Sequence, residues 1–328
     1  MISRRGTLAR IAAGLALAAQ GPALAGPKAS RKAAPDLTGT WTNAWYTHLE
    51  RPKALKTLVV SPAEAEAFEA PRRAHAGELI DKVHDEVGQA ESEFSDNGPG
   101  LARIGGGIRS SWIVDPPDGR VPWKAGVQKM LRLDEPSPLD NPEDLDPDEL
   151  CTTREGGAAP LLNSHDANMT TIVQAPGALI IWGEKMHETR IVRIVGSAAE
   201  AVASDPRAAG LTTPDGVAVG WWEGETLVVR NTGLAGRTKV GDELWLSGSG
   251  VVTERFTRVR PPAGPDELRY AFEVDDPAFF TRAWKGEMVF RRSAKLEYEY
   301  ACHEGNYFIG DALLGARRAE AAKAAAAR

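Results

Sequence analysis

The chain has 328 residues, and its 39 Lys and Arg against 45 Asp and Glu give a formal net charge of −6 at pH 7. This acidic balance argues against nucleic acid and anionic membrane surfaces as partners. A chain of this length, with 42% hydrophobic residues, can bury the core of one large domain or of two small ones.

The N-terminus, residues 1–25, is typical of a twin-arginine signal peptide. Arg4 and Arg5 precede an alanine-rich apolar run, and Ala23-Leu24-Ala25 offers the small residues that signal peptidase accepts. A general secretory signal is the alternative, because Thr7 stands where a twin-arginine signal usually carries phenylalanine. The apolar run is shorter than the ~20 residues that cross a bilayer. We therefore expect a periplasmic or secreted protein whose mature chain has no membrane span.

The mature domain is predicted to begin with a strand and to continue into helix. Residues 36–43 alternate Thr with apolar and aromatic side chains, which is typical of a strand. Ser61 and Glu64 then form a capping-box pattern with a proline between them, and the helix that they start is expected to run to Pro71. A second helix is predicted over 72–94.

From residue 110 onwards the hydrophobic pattern changes to a period of two, which is typical of strands. Residues 112–114 and 120–122 flank an Asp-Pro-Pro-Asp-Gly turn and predict a hairpin. Eight further strands are predicted at 170–174, 179–184, 190–195, 217–222, 226–231, 251–259, 268–274 and 287–292. Many short strands with tight turns indicate an antiparallel barrel or sandwich rather than alternating βαβ units.

These elements predict a mainly β fold, a single antiparallel barrel or sandwich with a helical insertion at about 61–94, after the first strand. The β-rich domain is expected to span 36–314. Residues 26–35 form a basic lead-in without periodicity, which we expect to be disordered. Residues 315–328 form a tail that consists almost entirely of Ala, Arg, Lys and Glu.

Cys151 and Cys302 are the two cysteines of the chain. In an oxidising compartment an even number of cysteines favours a disulfide. The two residues are far apart in sequence, however, and a bridge requires their Cα atoms to approach within about 7 Å. A bridged pair and two free thiols are therefore both open.

Two motifs resemble the signatures of a family of exported bacterial proteins of uncharacterised activity. They are Trp-Glu-Gly-Glu-Thr-Leu-Val-Val at 222–229 and Tyr-Glu-Tyr-Ala-Cys-His-Glu-Gly-Asn-Tyr at 298–307. The stretch 254–277 is also similar to that family, and the resemblance implies no particular activity. Separately, Gly39-x-Trp41 resembles the opening motif of lipocalin-like barrels, in which the tryptophan closes the floor of the barrel. This second resemblance implies a lipocalin-like barrel.

One cluster of residues is predicted to carry chemistry: Glu184, His187 and Arg190 between two strands, with His303 and Glu304 after the last strand. Imidazole beside carboxylate suits general acid–base catalysis. The same groups are ligands for a divalent metal such as zinc, so a metal cofactor is possible and its identity is open. The alternative is that both histidines are hydrogen-bonded structural residues and that Glu184 pairs with Arg190.

The spacing of this cluster sets a geometric condition. If the strand continued unbroken, Glu184 and His187 would point to opposite faces, so a break near Lys185 and Met186 is needed to bring them together. A second cluster, Asn163-Ser164-His165-Asp166, contains the residue types of a catalytic triad. Neighbours in sequence rarely form one, and we expect no serine hydrolase here.

Three functions are compatible with these residues. The first is a periplasmic enzyme, a hydrolase or lyase acting on a small aromatic or sugar-derived substrate, with Arg190 binding an anionic group. The second is a lipocalin-like carrier that binds an apolar small molecule without catalysis, and the third is a structural envelope protein. Polar side chains converging on one pocket would favour the enzyme, whereas an apolar interior would favour the carrier.

Overall fold

The structure is a computed structural model. It describes residues 34–83, 98, 100–131, 133, 139–145, 149–152, 159–164, 168–241 and 244–327. The predicted signal peptide and most of the predicted lead-in lie outside the described residues. Within the described ranges, no helix is both long enough and apolar enough to cross a membrane.

Fifteen strands, four α-helices and three short 3₁₀ helices make up the described regular structure. The strands are β1 (Gly39–Thr42), β2 (Val59–Val60), β3 (Arg103–Ile104), β4 (Gly107–Arg109), β5 (Ile113–Asp115), β6 (Met169–Ala175), β7 (Ala178–Gly183), β8 (Thr189–Ile194), β9 (Val217–Glu223), β10 (Thr226–Thr232), β11 (Thr238–Lys239), β12 (Trp245–Leu246), β13 (Val251–Val259), β14 (Glu267–Asp275) and β15 (Trp284–Arg292). The helices are α1 (Pro62–Val83), α2 (Val127–Leu131), α3 (Ala198–Ala203) and α4 (Phe308–Ala326).

Nine strands form a closed barrel in the order β1-β6-β7-β8-β9-β10-β13-β14-β15, and β15 returns to pair with β1. The predicted mainly β fold is confirmed, and of the two predicted architectures the barrel is correct and fits a lipocalin-like fold. All neighbouring barrel strands are antiparallel except β8 and β9, which run parallel. An odd number of strands cannot alternate in direction all the way around a closed barrel. The connection from β8 to β9, which contains α3, crosses outside the barrel and supplies the parallel pair.

Alternation along the strands separates the interior of the barrel from its outer wall. In β14 the side chains of Leu268, Tyr270, Phe272 and Val274 are buried, whereas those between them are partly exposed. This is the pattern of a strand with one buried and one wet face, and it lies in the strand predicted at 268–274. The interior is therefore mainly aromatic and aliphatic, and burying such side chains is the main source of the fold's stability.

Trp41 lies at one end of the barrel and is completely buried. Its indole N–H donates to the carbonyl of Leu37 at 3.0 Å, and the guanidinium of Arg292 lies 5.3 Å from its ring centroid. Gly39 makes room for this contact, because a Cβ at residue 39 would lie 2.0 Å from the Arg292 guanidinium. The Gly-x-Trp spacing thus has a local steric reason: glycine admits the arginine that covers the tryptophan.

The insertion after β1 contains α1 and a three-stranded sheet in the order β2-β4-β3. The predicted capping box is confirmed, since the Ser61 N–H donates to Glu64 Oε2 at 2.8 Å and the Glu64 N–H donates to Ser61 Oγ at 3.3 Å. The predicted break at Pro71 is wrong, because α1 passes through Pro71 to Val83. A proline removes one N–H from the helix, and here the remaining backbone bonds keep it continuous. The rest of the second predicted helix, 84–94, lies outside the described residues.

The hairpin predicted at 112–122 is also wrong. β5 pairs with Lys285 and Gly286 of β15, as a tenth strand outside the barrel closure. The Val121 N–H donates instead to the carboxylate of Glu50 at 2.7 Å. The second half of the expected hairpin is therefore held by a side chain from a distant loop, which the local pattern cannot show.

After β15 the chain continues as residues 293–307, here called the C-terminal strap, and then as α4. The predicted tail at 315–328 is largely the second part of α4, which begins at Phe308 and has no buried residue. Cys302 of the strap and Cys151 form a disulfide with Cα atoms 5.9 Å apart. The bridge left open by the sequence is thus formed, and it joins the strap to the segment 149–152.

Candidate functional site

The turn between β7 and β8 interrupts the strand near Lys185 and Met186, as is needed to bring Glu184 and His187 together. Residues Lys185–His187 form one short 3₁₀ turn, and both Met186 and His187 have positive φ, at 56° and 51°. The Gly183 N–H donates to the carbonyl of Glu188 at 2.8 Å and closes the turn. Two consecutive residues in the left-handed region reverse the chain within a few residues. This reversal brings Glu184 and His187 to the same side of the turn.

Glu184 and His187 both contact the C-terminal strap. The Tyr298 N–H donates to Glu184 Oε1 at 3.0 Å, and the Tyr300 N–H donates to His187 Nε2 at 3.2 Å. Because Nε2 accepts this bond, the neutral imidazole carries its proton on Nδ1. The His187 ring also stacks on Trp182, with centroids 6.4 Å apart and planes 12° apart. Both predicted acid–base residues therefore hold backbone N–H groups of the strap.

His303 and Glu304 lie in the turn of the strap that follows Cys302, and both are exposed. The strap thus brings His303 to the same region as His187, because Tyr300 precedes His303 by three residues and bonds to His187. No side-chain contact joins the two histidines in the described part of the chain. Within that part, no group of three or more His, Cys, Asp or Glu residues could hold a metal ion.

Arg190 lies apart from Glu184, inside the barrel. Its guanidinium donates to both carboxylate oxygens of Glu254 on β13, at 2.7 and 3.0 Å, and the two side chains are 4% and 0% exposed. The alternative pairing of Arg190 with Glu184 is not formed. A bidentate pair uses two of the five N–H donors of an arginine. Its Nε is buried and has no hydrogen-bond partner among the described residues.

Tyr270 extends this interior network. Its hydroxyl donates to Glu254 Oε1 at 2.7 Å and accepts from the Leu161 N–H at 2.8 Å. Burial raises the pKa of Tyr270 well above its ordinary value, and the negative charge of Glu254 raises it further. The hydroxyl therefore stays protonated and remains a donor to Glu254.

Leu161 belongs to residues 159–164, here called the inner segment, which packs into the barrel core. Ala159 and Leu161 are each 1% exposed and share one hydrophobic cluster with the barrel interior. Asn163 fixes the segment, since its Oδ1 accepts from the Trp112 indole N–H at 2.6 Å and its Nδ2 donates to the carbonyl of Trp45 at 3.0 Å. The asparagine of the triad-like cluster 163–166 is thus structural, and the cluster's histidine and aspartate lie outside the described residues.

Glu297 of the strap is a partly buried carboxyl group whose pKa lies well above its ordinary value. Burial raises the pKa of Glu297 to about 7, and the negative charge of Glu184 adds to the rise. The hydroxyl of Thr171 acts in the opposite direction, although it is itself bonded to the Thr40 hydroxyl at 2.9 Å. Both carboxyl oxygens of Glu297 are shielded from water.

No protein-family model, curated protein or solved structure matches this chain.

Sequence reasoning missed three residues of these sites. Glu254 carried a signal, because it occupies an inward position of β13 between the buried Val252 and Phe256. A charged residue on the apolar face of a strand requires a buried partner. Tyr270 was predicted only as part of the strand at 268–274, and nothing local in the sequence marks Glu297.

Proposed function

We propose that this protein is a lipocalin-like carrier that binds a small apolar molecule inside its barrel. The observation that carries the proposal is the mainly apolar and aromatic interior of a closed barrel, within which the buried Nε–H of Arg190 has no partner among the described residues. Binding sites of this kind combine an apolar lining with a few fixed polar groups. Buried donors without a partner are rare in folded proteins and ask for a ligand or an ordered water.

The charge of the interior suggests which polar group the ligand carries. Arg190 and Glu254 already neutralise each other, so an anionic ligand would leave an uncompensated negative charge in the barrel. A neutral acceptor such as a carbonyl or ether oxygen can accept a hydrogen bond from the Nε–H of Arg190 without this penalty. The proposed ligand is therefore a small apolar molecule with one neutral hydrogen-bond acceptor, rather than the anionic compound first expected at Arg190.

The hydrolase or lyase expected from the sequence stays a prediction. It receives less support because Glu184 and His187 accept backbone hydrogen bonds and Arg190 is sealed inside the barrel. A general acid or base must reach the proton that it transfers. His187 is exposed, and so are His303 and Glu304, which lie on the strap; these are the exposed members of the predicted catalytic set.

The carrier is tested by titrating the mature protein with N-phenyl-1-naphthylamine, a neutral apolar fluorescent probe. We expect saturable binding of one probe per chain. Leu161→Ala, which enlarges the interior, should change the dissociation constant by at least about threefold, since each buried methylene contributes about 0.8 kcal/mol. Leu296→Ala removes the same atoms from an exposed leucine of the strap and serves as the matched control. Absence of saturable binding to the unmodified protein, or equal effects of both variants, would overturn the proposal.

A further inference from the structure

The C-terminal strap crosses the outer wall of the barrel, and two main-chain bonds to side chains hold its middle. These are the bonds from Tyr298 to Glu184 and from Tyr300 to His187. At its start the Ser293 N–H donates to the carbonyl of Thr40 on β1, at 2.9 Å. At its far end the disulfide of Cys302 fixes it covalently. The middle of the strap is thus the part that can leave the wall without breaking a covalent bond.

Glu297 turns inward directly before Tyr298, whose N–H donates to Glu184. Its carboxyl oxygens are shielded from water, and they face the wall where Thr171 of β6 and Glu184 of the β7–β8 turn lie. Lifting the strap would return this carboxyl to water. Docking of the strap therefore removes the Glu297 carboxyl group from water and places it beside the carboxylate of Glu184.

We propose that Glu184 and Glu297 form a pH-sensitive latch, which holds the C-terminal strap against the barrel while Glu297 is protonated and releases it when Glu297 ionises.

The direction follows from the pKa of Glu297 in the docked strap, which is about 7 against an ordinary value of 4.5. A group whose pKa is raised in one state stabilises that state at pH values below its ordinary pKa. The stabilisation falls as the pH rises from 4.5 and is lost above about 7. The full difference would change the docking equilibrium by a few hundredfold, since each pKa unit is a factor of ten. Because Glu297 is only half-buried, we expect an effect on the order of tenfold.

Other titratable groups surround the latch and must be separated from it. Those of the turn are Glu184, Lys185, His187 and Glu188, and those on either side of Glu297 in the strap are Lys295 and Glu299. Of these, Glu184 is the one whose charge shifts the pKa of Glu297. His187 holds the strap as well, because its Nε2 accepts the bond from Tyr300. A comparison of two variants that both keep His187 isolates the contribution of Glu297.

The test measures amide hydrogen exchange of the strap between pH 4 and pH 8, which spans the window from 4.5 to about 7, in the mature protein with its disulfide intact, corrected for intrinsic exchange. As the pH rises, protection of the Tyr298 and Tyr300 amides should fall in the unmodified protein. The fall should be about tenfold larger than in Glu297→Gln, whose side chain stays neutral at every pH. Glu299→Gln, in the same strap but exposed, is the matched control and should follow the unmodified protein. Glu184→Gln keeps an acceptor for Tyr298 and should move the midpoint to lower pH, because removing the like charge lowers the pKa of Glu297. Amides of β14 report any global change.

Two results would overturn the latch. One is strap protection that has the same pH dependence in Glu297→Gln as in the unmodified protein. The other is a pH dependence that disappears only when His187 is replaced by Gln, which would assign the effect to the imidazole. Neither result bears on ligand binding inside the barrel, because the latch lies on the outer wall.

Discussion

Arg190 and Glu254 face each other inside the barrel, where the guanidinium donates to both carboxylate oxygens at 2.7 and 3.0 Å. The pair joins β8 to β13 across the interior, and Tyr270 connects it to the inner segment. This one network therefore orients the polar groups of the proposed ligand site and fixes the segment that fills part of the barrel.

Removing one partner of this pair should strongly destabilise the fold. Arg190→Met leaves the Glu254 carboxylate buried without its counter-ion, and the expected loss is about 3–5 kcal/mol in the free energy of unfolding. The double variant Arg190→Met with Glu254→Gln should lose less than the sum of the two single changes, because neither charge is then left alone. Urea unfolding of all three variants provides the measurement.

Arg255 offers a matched control for this experiment. It neighbours Glu254 on β13 but points outward, where it pairs with Glu223 at 2.7 Å, and both side chains are about half exposed. Arg255→Met should therefore change the free energy of unfolding by less than about 1 kcal/mol. Equal losses in the free energy of unfolding from Arg190→Met and Arg255→Met would show that the interior pair stabilises the fold no more than the exposed pair does.

Gly286 of β15 is predicted to be intolerant of any side chain. A Cβ at this residue would lie 2.1 Å from the Phe272 ring, inside the packed barrel. Gly286→Ala should therefore cost about 1–3 kcal/mol through overpacking. Gly310→Ala in α4 meets no atom within 4 Å and should leave stability unchanged or slightly raised. Thermal melting distinguishes the two, and a melting temperature that is equal for both variants would refute the steric argument.

The disulfide should stabilise the protein mainly through the unfolded state. Cys151 and Cys302 are 151 residues apart, so the bond closes a long loop, and its removal should cost about 2–5 kcal/mol. The check is urea unfolding of the oxidised protein against Cys151→Ser with Cys302→Ser. The strap amides should also exchange faster in the double variant, because its far end is then free. Identical unfolding midpoints and identical strap exchange would contradict this role.

His187 and His303 should behave differently from each other on mutation. His187→Ala removes the acceptor of the Tyr300 N–H, so exchange at that amide should increase several-fold. His303 is exposed, and His303→Ala should leave both stability and strap exchange unchanged. If the two histidines instead form one catalytic site, each single variant and the double variant should lose similar amounts of turnover on a panel of aryl esters. Strap exchange and turnover measured on the same three variants separate the two outcomes.

The sequence predicted the barrel strands well because each strand has one buried face and one wet face. The alternation in Leu268 to Val274 is a local signal, and the strand found there has the expected burial. The sequence could not predict that β1 pairs with β15 and closes the barrel, because the paired residues Trp41 and Arg292 are far apart in sequence. The hairpin at 112–122 failed for the same reason, because β5 finds its partner in β15 rather than beside it in sequence.

The sequence predicted which residues belong to the candidate site but not which partners they contact. The need for a break after Glu184 followed from the period of a strand, and the structure forms it with positive φ at Met186 and His187. The partners of these side chains could not be read locally, since Arg190 bonds a glutamate 64 residues away and His187 bonds a backbone amide 113 residues away. Contacts of this range depend on the closure of the barrel.

The central claim, a ligand site inside the barrel, is tested most directly by two-dimensional ¹H–¹⁵N NMR of the tryptophan indole groups during titration with N-phenyl-1-naphthylamine. Trp284 is fully buried in the interior and its indole nitrogen has no hydrogen-bond partner among the described residues, whereas Trp182 lies on the outer wall beside His187. Saturable shifts of the Trp284 indole signal, with the Trp182 signal unchanged, are the predicted result. Shifts confined to Trp182, with the Trp284 signal unmoved at saturation, would place the probe on the outer surface and contradict the carrier.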